Sequence, residues 1–249
     1  IVFFDDDQIN RDMVKTFLPE VVVVDLPKDF SQYISIFESL NCFETLSLSS
    51  EDFKRNEMYQ AEKDRNKLLK STTTMSDYLR TLNLIVFINE VNINMIPRIA
   101  QLTQKTNQFN LTTKRYTEEN IQKLINDNNS RIISIRVTDK FGDNGLTGLA
   151  IINTRDSISW QIETFLLSCR VIGRKAEEVL LAYIINDAKA NNVKFVFGYF
   201  VESKKNSLVR NFYSSNGFKK IDSTKQRDTW RFDTKNDYLY PSYIKYKVL

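Results

Sequence analysis

The chain has 249 residues, of which 42% are hydrophobic and 27% are charged, and its formal net charge is +4. This composition suffices for one large or two smaller packed domains, and the charge is too small to predict a nucleic-acid partner. The lack of histidine excludes Ser-His-Asp and Cys-His catalysis, and Cys42 and Cys169 predict neither a disulfide framework nor a zinc site. No apolar stretch is long enough to span a bilayer, so we expect a cytoplasmic protein with no membrane partner.

The first 75 residues predict alternating strands and helices followed by a charged helical arm. Strands are expected at 1–4 and 21–24, and helices at 9–17 and 29–40. The arm covers 50–70, where Ser49 and Asp52 stand at capping-box spacing, and the polar stretch 70–75 predicts a linker. All six glycines lie at or after Gly142, and this change in composition favours two domains, 1–75 and 76–249.

The pattern restarts near residue 84 and predicts the order β-α-α-β-β-β-α-β-α-β-β with one further strand at the C-terminus, a mixed α/β fold with helices on the faces of its sheet. The sequence "FGDNG" at 141–145 is typical of a hairpin turn. The predicted strands are 84–91, 131–137, 146–152, 160–169, 193–200, 218–223, 228–233 and 243–248, and the helices are 94–105, 117–126, 174–190 and 206–215.

A basic turn with a single glycine joins the strand 160–169 to the helix 174–190. The first N–H groups of a helix have no intrahelical acceptor, and together with the helix dipole they favour an anion such as a pyrophosphate. Gly173 allows close backbone approach, and Arg170, Arg174 and Lys175 add positive charge. The alternative is a plain strand–helix turn with solvated basic side chains.

In this context the turn resembles that of the GNAT acyltransferase fold, which carries Arg/Gln-x-x-Gly-x-Gly/Ala and holds the pyrophosphate of acyl-coenzyme A. The first arginine and the glycine match, whereas Lys175 replaces the second glycine. The resemblance implies acyl-coenzyme A or phosphopantetheine as cofactor. It also implies a set of cofactor-binding residues: Leu167, Ser168, Arg170, Val171, Ile172, Gly173, Arg174 and Lys175.

The segment "NSLVRNFYSSNGF" at 206–218 resembles a later GNAT segment. By that resemblance Asn206 and Asn211 lie near the cofactor arm, and Tyr213 is the general acid for the leaving thiolate, although it is also a candidate core aromatic. With no histidine present, Glu163 is the best candidate base. Strict alternation puts it on the face of Phe165, where an aromatic neighbour would raise its pKa, but a structural charge pair is an equal alternative.

The loop "TNQFNLTTKRY" at 106–116 connects the first two helices of the second domain. Its amide and basic side chains make Asn107, Gln108, Asn110 and Arg115 candidate substrate contacts. The alternative is that these amides cap the neighbouring helices.

A wider resemblance covers nearly the whole chain. The stretch "RIAQLTQKTNQFNLTTKRYTEENI", with "FGDNG" and "ETFLLSCRVIGR", closely resembles the C-terminal part of FkbH-like proteins. The opening "VFFDDDQINRDMVKTFLPEVVVVDLP" looks like the last motif of a HAD-superfamily domain, and the arm looks like the helices that follow it. The expected fold is therefore a truncated, Rossmannoid HAD-like segment followed by a GNAT-fold domain.

The same resemblance implies that Asp5 and Asp6 are the remnant of a metal site, which holds magnesium only in an intact HAD domain. Because no nucleophilic Asp-x-Asp segment precedes residue 1, we expect a fragment or a natural truncation without the HAD reaction. A magnesium-dependent phosphatase is therefore the weakest of the candidate functions.

Two functions remain open at this point. One is an acyltransferase that handles an acyl or glyceryl group on coenzyme A or on the phosphopantetheine of an acyl carrier protein, in polyketide-type biosynthesis. The other is a non-catalytic module that binds the carrier protein for a HAD-like glyceryl transferase/phosphatase domain. The implied partners are an acyl carrier protein and a small-molecule acyl donor.

Overall fold

The computed structural model describes residues 2–40 and 55–249, in two compact units, Ile1–Phe53 and Lys54–Leu249. Cys42 and the predicted capping pair Ser49 and Asp52 lie outside the described residues. The charged helix Arg55–Ser71 falls in the second unit. The predicted domain boundary at 75/76 remains a prediction.

The first unit has the predicted strand–helix–strand–helix order. Its labelled elements are β1 (Val2–Phe3), α1 (Gln8–Phe17), β2 (Val22–Val23) and α2 (Tyr33–Glu38). Strands β1 and β2 pair in parallel. Helix α1 begins where the Asp7 carboxylate accepts the N–H of Ile9 at 2.8 Å, and this cap satisfies one of the helix's free donors.

The second unit is a mixed α/β domain, which confirms the predicted fold class. Its helices are α3 (Arg55–Ser71), α4 (Met75–Leu82), α5 (Ile96–Lys105), α6 (Glu118–Ile125), α7 (Ala176–Ala190) and α8 (Phe212–Ser215). Its strands are β3 (Ile85–Glu90), β4 (Phe109–Asn110), β5 (Ser130–Asp139), β6 (Gly142–Asn153), β7 (Ser159–Leu167), β8 (Phe195–Phe200), β9 (Lys219–Ser223), β10 (Asp228–Asp233) and β11 (Lys245–Val248).

The main sheet runs in the order β11-β3-β5-β6-β7-β8-β10-β9, and β4 pairs with β7 off this path. Strands β3, β5, β6 and β7 are successive antiparallel neighbours, whereas β7 and β8 are parallel and are connected through α7. The carboxyl ends of β7 and β8 therefore lie at one edge of the sheet, next to the start of α7. This is the edge where open α/β sheets place their ligands.

Two apolar layers cover the sheet. Helix α7 buries nine residues against one face, among them Val179, Leu180 and Ile184, which are fully buried. On the other face Ile99 of α5 and Ile121 of α6 pack against Leu149, Ile151 and Leu166 of the sheet. Burial of aliphatic side chains of this size contributes roughly 1.5–3 kcal/mol each, so these layers hold the sheet edge in place.

Three features differ from the sequence prediction. Helix α4 was not predicted; residues 72–74 of the expected linker connect α3 to it, and the hydroxyl of its capping residue Thr74 accepts the N–H of Asp77 at 3.1 Å. The stretch 106–116, expected to be a loop, contains β4. The hairpin turn is also shorter than predicted, because Asp139 pairs with Gly142 and only two residues connect the strands.

Candidate active site

The parallel ladder between β7 and β8 stops before the strands do. Its last registered pair is Ile162 with Gly198, although β7 continues to Leu167 and β8 to Phe200. Beyond that pair the two strands separate at their carboxyl ends. The separation leaves backbone groups of both strands free to bond with a third chain segment.

Residues 109–111, which we name the strap, occupy this separation. The N–H of Leu111 donates to the carbonyl of Phe165 at 3.0 Å, and its carbonyl accepts the N–H of Val201 at 2.7 Å. Leu111 is fully buried, and the ring of Phe109 meets that of Phe212 edge-on at 5.4 Å between centroids. The strap thus bridges both strands and has a substantial apolar anchor.

The turn between β7 and α7 has the unusual backbone that the sequence suggested. Residues 169–171 form a short 3-10 helix, and Gly173 (φ +81°) and Lys175 (φ +65°) both adopt left-handed conformations. A non-glycine side chain at positive φ costs roughly 1–2 kcal/mol. The GNAT pattern has glycine or alanine at the position of Lys175, and the positive φ observed here accounts for a glycine preference.

Arg174 does not face a ligand. Its side chain is 5% exposed and its guanidinium pairs with Glu62 at 2.9 Å and with Asp139 at 3.2 Å. Asp139 is also bound by Arg65 at 2.8 Å, so the three elements α3, β5 and the turn share one buried ionic network. The prediction that the Arg174 side chain binds a phosphate does not fit this geometry, because its charge is already neutralised inside the protein.

Arg170 and the first N–H groups of α7 remain available to bind an anion. Arg170 is half-buried and contacts Ser168 Oγ at 3.3 Å and Met58 Sδ at 3.1 Å, and none of the carboxylates in residues 2–40 and 55–249 pairs with it. The N–H groups of Lys175 and Ala176 likewise have no acceptor within those ranges. One cation and two free helix-terminal donors therefore meet at the turn.

The first turn of α7 also holds two carboxyl groups. Glu178 pairs with the ammonium of Lys175 at 2.5 Å. Glu177 is 8% exposed, and its Oε2 has no hydrogen-bond partner in the described structure. Burial raises the pKa of Glu177 to about 7. Its charge at the amino end of α7 therefore depends on pH near neutrality.

Tyr213 lies in the core. It is 1% exposed and its ring packs against Phe218 at 4.9 Å and Trp230 at 6.5 Å between centroids. A Cβ atom at Gly198 would come within 2.2 Å of Tyr213 Cζ, so the glycine makes room for the ring. Burial raises the pKa of this hydroxyl, and the enclosed position matches the alternative of a core aromatic better than a general acid facing a cleft.

Glu163 stands at a β-bulge. Thr164 pairs with Ile151 and Ile162 with Ile152, so Glu163 has no partner on β6. The bulge puts Ile162 and Phe165 in the same core cluster, and the prediction from strict alternation that they face opposite sides is wrong.

The Glu163 carboxylate is 31% exposed and contacts Lys114 Nζ at 3.2 Å. Asn153 Nδ2 donates to its second oxygen at 3.3 Å. The sequence left open whether this carboxylate is a base or a charge pair, and the structure shows the ion pair.

A cavity of about 250 Å³ lies between the loop 106–115 and the loop after β8, and we name it the polar cavity after its lining residues, although much of its accessible wall is formed by their apolar atoms. It is lined by Thr106, Asn107, Asn110, Thr113, Arg115, Ser203 and Lys205. The structure therefore brings together three of the four predicted substrate residues, whereas Gln108 is exposed in a turn outside the cavity. Ser203 and Lys205 were missed, because nothing in the local sequence connects them to a loop some 90 residues earlier.

The two predicted asparagines near the cofactor arm have different environments. Asn206 is fully buried; its Nδ2 donates to the carbonyls of Asn110 and Val201 at 2.9 Å, and its Oδ1 accepts the N–H of Ser203 at 2.8 Å. It thereby connects the strap to the loop after β8. Asn211 is exposed at the start of α8, where only its backbone carbonyl is bonded.

The predicted metal remnant does not form a metal site in the described residues. Asp5 Oδ1 accepts the N–H of Asp7 at 2.8 Å, and its carboxylate also bonds Asn10 Nδ2. Over residues 2–40 and 55–249 no three acidic, cysteine or histidine side chains group as metal ligands would. These residues do not fit magnesium on their own.

Within residues 2–40 and 55–249 no helix is long and apolar enough to cross a membrane.

No protein-family model matches the sequence, and no curated protein matches it either. Several solved structures are similar in fold. Ard1 from Thermoplasma volcanium is 15% identical and aligns over 59% of this chain and 97% of its own, with a TM-score of 0.47. The spermidine N-acetyltransferase SpeG from Vibrio cholerae is 15% identical over 60% of this chain and 94% of its own, with a TM-score of 0.46.

Rv2747 from Mycobacterium tuberculosis, solved in complex with CoA, is 14% identical over 55% of this chain and 74% of its own, with a TM-score of 0.43. At this distance the likenesses assign neither an activity nor a ligand to this chain. They also do not extend to the HAD-like or FkbH-like expectations.

Proposed function

We propose that residues 84–249 form a GNAT-type acyltransferase that takes its acyl group from a thioester of coenzyme A or phosphopantetheine. The observation that carries the proposal is the amino end of α7, where two free N–H donors and Arg170 meet at the edge where β7 and β8 separate. Backbone donors at a helix start bind phosphate well, and a guanidinium beside them adds a charged hydrogen bond.

In the proposed reaction the acceptor nucleophile attacks the thioester carbonyl carbon. A bond from the acceptor to carbon forms, the carbon–sulfur bond breaks, and sulfur leaves with the electron pair. The acceptor's proton passes to Glu163, directly or through water, and Lys114 has to give up its ion pair with this carboxylate first. Tyr213 has no place in this scheme, because its hydroxyl is enclosed in the core.

A second candidate is a non-catalytic module that binds the phosphopantetheine arm of an acyl carrier protein. The enclosed Tyr213 favours it, since its position removes the general acid that a catalyst of this type would use. The resemblance to FkbH-like proteins adds a HAD-like segment and polyketide-type biosynthesis to this candidate, and the cytoplasmic location expected from the sequence is also part of the proposal.

Mass spectrometry of acyl transfer tests the proposal. Acetyl-coenzyme A is incubated with the chain and with a panel of primary amines, thiols and a holo acyl carrier protein. We expect an acetylated acceptor, formed about 100-fold more slowly by Glu163→Gln, because a positioned base contributes about that much. Glu119→Gln, which removes an exposed carboxylate from α6, is the matched control. Tight binding of the holo carrier without any acetylated product would support the second candidate.

A further inference from the structure

The polar cavity carries positive charge that the protein does not neutralise. Of its seven lining residues two are basic, Arg115 and Lys205, and none is acidic. Arg115 donates to neutral oxygens, the carbonyl of Gln104 and Asn107 Oδ1, and neither basic residue has a carboxylate partner within residues 2–40 and 55–249. Lys114, the sequence neighbour of Arg115, is instead paired with Glu163.

Hydrogen bonds within the protein also hold one wall of the cavity in place without a ligand. Asn110 is 1% exposed, and its Oδ1 accepts the N–H of Thr113 at 2.9 Å and of Thr112 at 3.3 Å. These bonds hold Thr113 at φ +57°, a left-handed conformation that a β-branched residue rarely adopts. Strain of this kind, maintained by buried contacts, is concentrated at ligand sites.

Both walls of the cavity belong to one hydrogen-bonded unit. Asn206 binds the strap through the carbonyl of Asn110 and holds the N–H of Ser203 on the opposite wall. Asn206 thereby holds the two walls of the cavity together, while the strap stays bonded to Phe165 and Val201.

We infer that the polar cavity binds a small molecule through an oxyanion, a carboxylate or a phosphate, held between Arg115 and Lys205. Hydroxyl and amide groups of Thr106, Asn107 and Ser203 then contact the polar remainder of the molecule. A volume of about 250 Å³ suits a metabolite of a few non-hydrogen atoms. The inference does not rest on the proposed acyl transfer.

Calorimetric titration at constant ionic strength tests it with two probes, inorganic phosphate and malonate, and with glycerol as the neutral control. We expect saturable binding of at least one anion, and the tighter one identifies the class. Lys205→Gln should weaken its Kd at least fivefold, because it removes one of two cations from a confined site. Lys204→Gln, an equal change of charge at an exposed neighbour outside the cavity, should alter Kd less than twofold.

Several results would overturn the inference. Equal weakening by Lys204→Gln would indicate diffuse attraction to a basic surface, and no saturation by either anion would mean that the cavity is not an anion site. Loss of binding in Arg170→Ala, with Lys205→Gln unaffected, would place the anion at the start of α7 instead. Arg115→Gln is a second cavity variant, and its folding is checked by circular dichroism. Because Arg170 belongs to the proposed donor site, the two proposals fail separately.

Discussion

The turn 168–175 and the loop 106–115 look similar in sequence, since both combine basic residues with groups that bind anions, but the structure uses their charges differently. In the turn, Arg174 is buried in ion pairs with Glu62 and Asp139, and Lys175 is paired with Glu178. In the loop, Arg115 keeps its charge without a carboxylate partner in the described ranges, beside a cavity. A basic motif thus identifies a segment, whereas distant acidic residues determine which of its charges can bind a ligand.

The largest effect that tests this comparison is expected at Arg174. Arg174→Ala leaves the fully buried Asp139 and the carboxylate of Glu62 with one arginine fewer. Because Asp139 keeps its pair with Arg65, the expected cost is that of the lost charged hydrogen bonds, about 1.5–3 kcal/mol of unfolding free energy. Arg170→Ala should cost less than about 1 kcal/mol, because Arg170 has no such partner. Urea denaturation of both variants measures the difference, and equal losses would contradict the assignment of Arg174 to the core.

Glu177 should make the stability of the folded chain depend on pH. Burial raises the pKa of Glu177 from its ordinary value of 4.5 to about 7, so the folded chain holds this proton more tightly than the unfolded chain. The resulting stability is fully present below pH 4.5 and is lost as the pH rises through 7.

Glu177→Gln removes this dependence, because the amide has no proton to lose. Relative to the wild type the variant should gain up to about 3 kcal/mol of unfolding free energy at pH 8 and little at pH 4.5. Denaturation at a series of pH values measures the difference between the two proteins. A difference that stays constant with pH would show that Glu177 has the same pKa in the folded and the unfolded chain, and would contradict the shift.

Replacement of Asn110 should destabilise the folded chain more than replacement of the nearby Asn107. Asn110→Ala leaves the N–H groups of Thr112 and Thr113 without their acceptor and should cost about 1–3 kcal/mol. Asn107→Ala removes a half-buried carboxamide that only meets Arg115, and should cost less than about 1 kcal/mol. Thermal unfolding of both variants compares them. A larger loss in Asn107→Ala would mean that Asn110 does not hold the cavity wall.

The smallest effect is expected at Lys175. Lys175→Gly relieves the strain of the left-handed backbone. It also loses the ion pair with Glu178 and gives the unfolded chain more conformational freedom. These contributions oppose each other, so the free energy of unfolding should change by less than about 1 kcal/mol. Lys175→Val should lose about 1–2 kcal/mol more than the glycine variant, because a β-branched residue resists φ +65°. Equal stabilities of the two variants would argue against strain at this position.

Hydrophobic periodicity predicted most of the second unit. Helix α7 and strands β7 and β8 appear close to their expected positions, because their long apolar runs determine where the core lies. Helix α4 was missed because its capping residue Thr74 lies in a polar stretch that resembles a linker. The strap was missed because its two strand residues are bonded to β7, far away in sequence, and two residues give no periodic signal.

The candidate site was predicted only in part. Asn107, Asn110 and Arg115 were identified from residue type and do line one cavity. The enclosed position of Tyr213 depends on Gly198, and the bulge at Glu163 depends on pairing with β6. Pairings of this kind arise from tertiary contacts, which a motif comparison does not contain.

The central claim is that the start of α7 binds the phosphates of a thioester donor, and calorimetric titration with coenzyme A tests it most directly. Wild type and Arg170→Ala are compared with Arg155→Ala, an equal change of charge on the exposed loop at the other end of β7. We predict saturable binding that weakens about 10- to 100-fold in Arg170→Ala, the value of one charged hydrogen bond, and stays unchanged in Arg155→Ala. No binding of coenzyme A, or binding equally tight in Arg170→Ala, would contradict the claim.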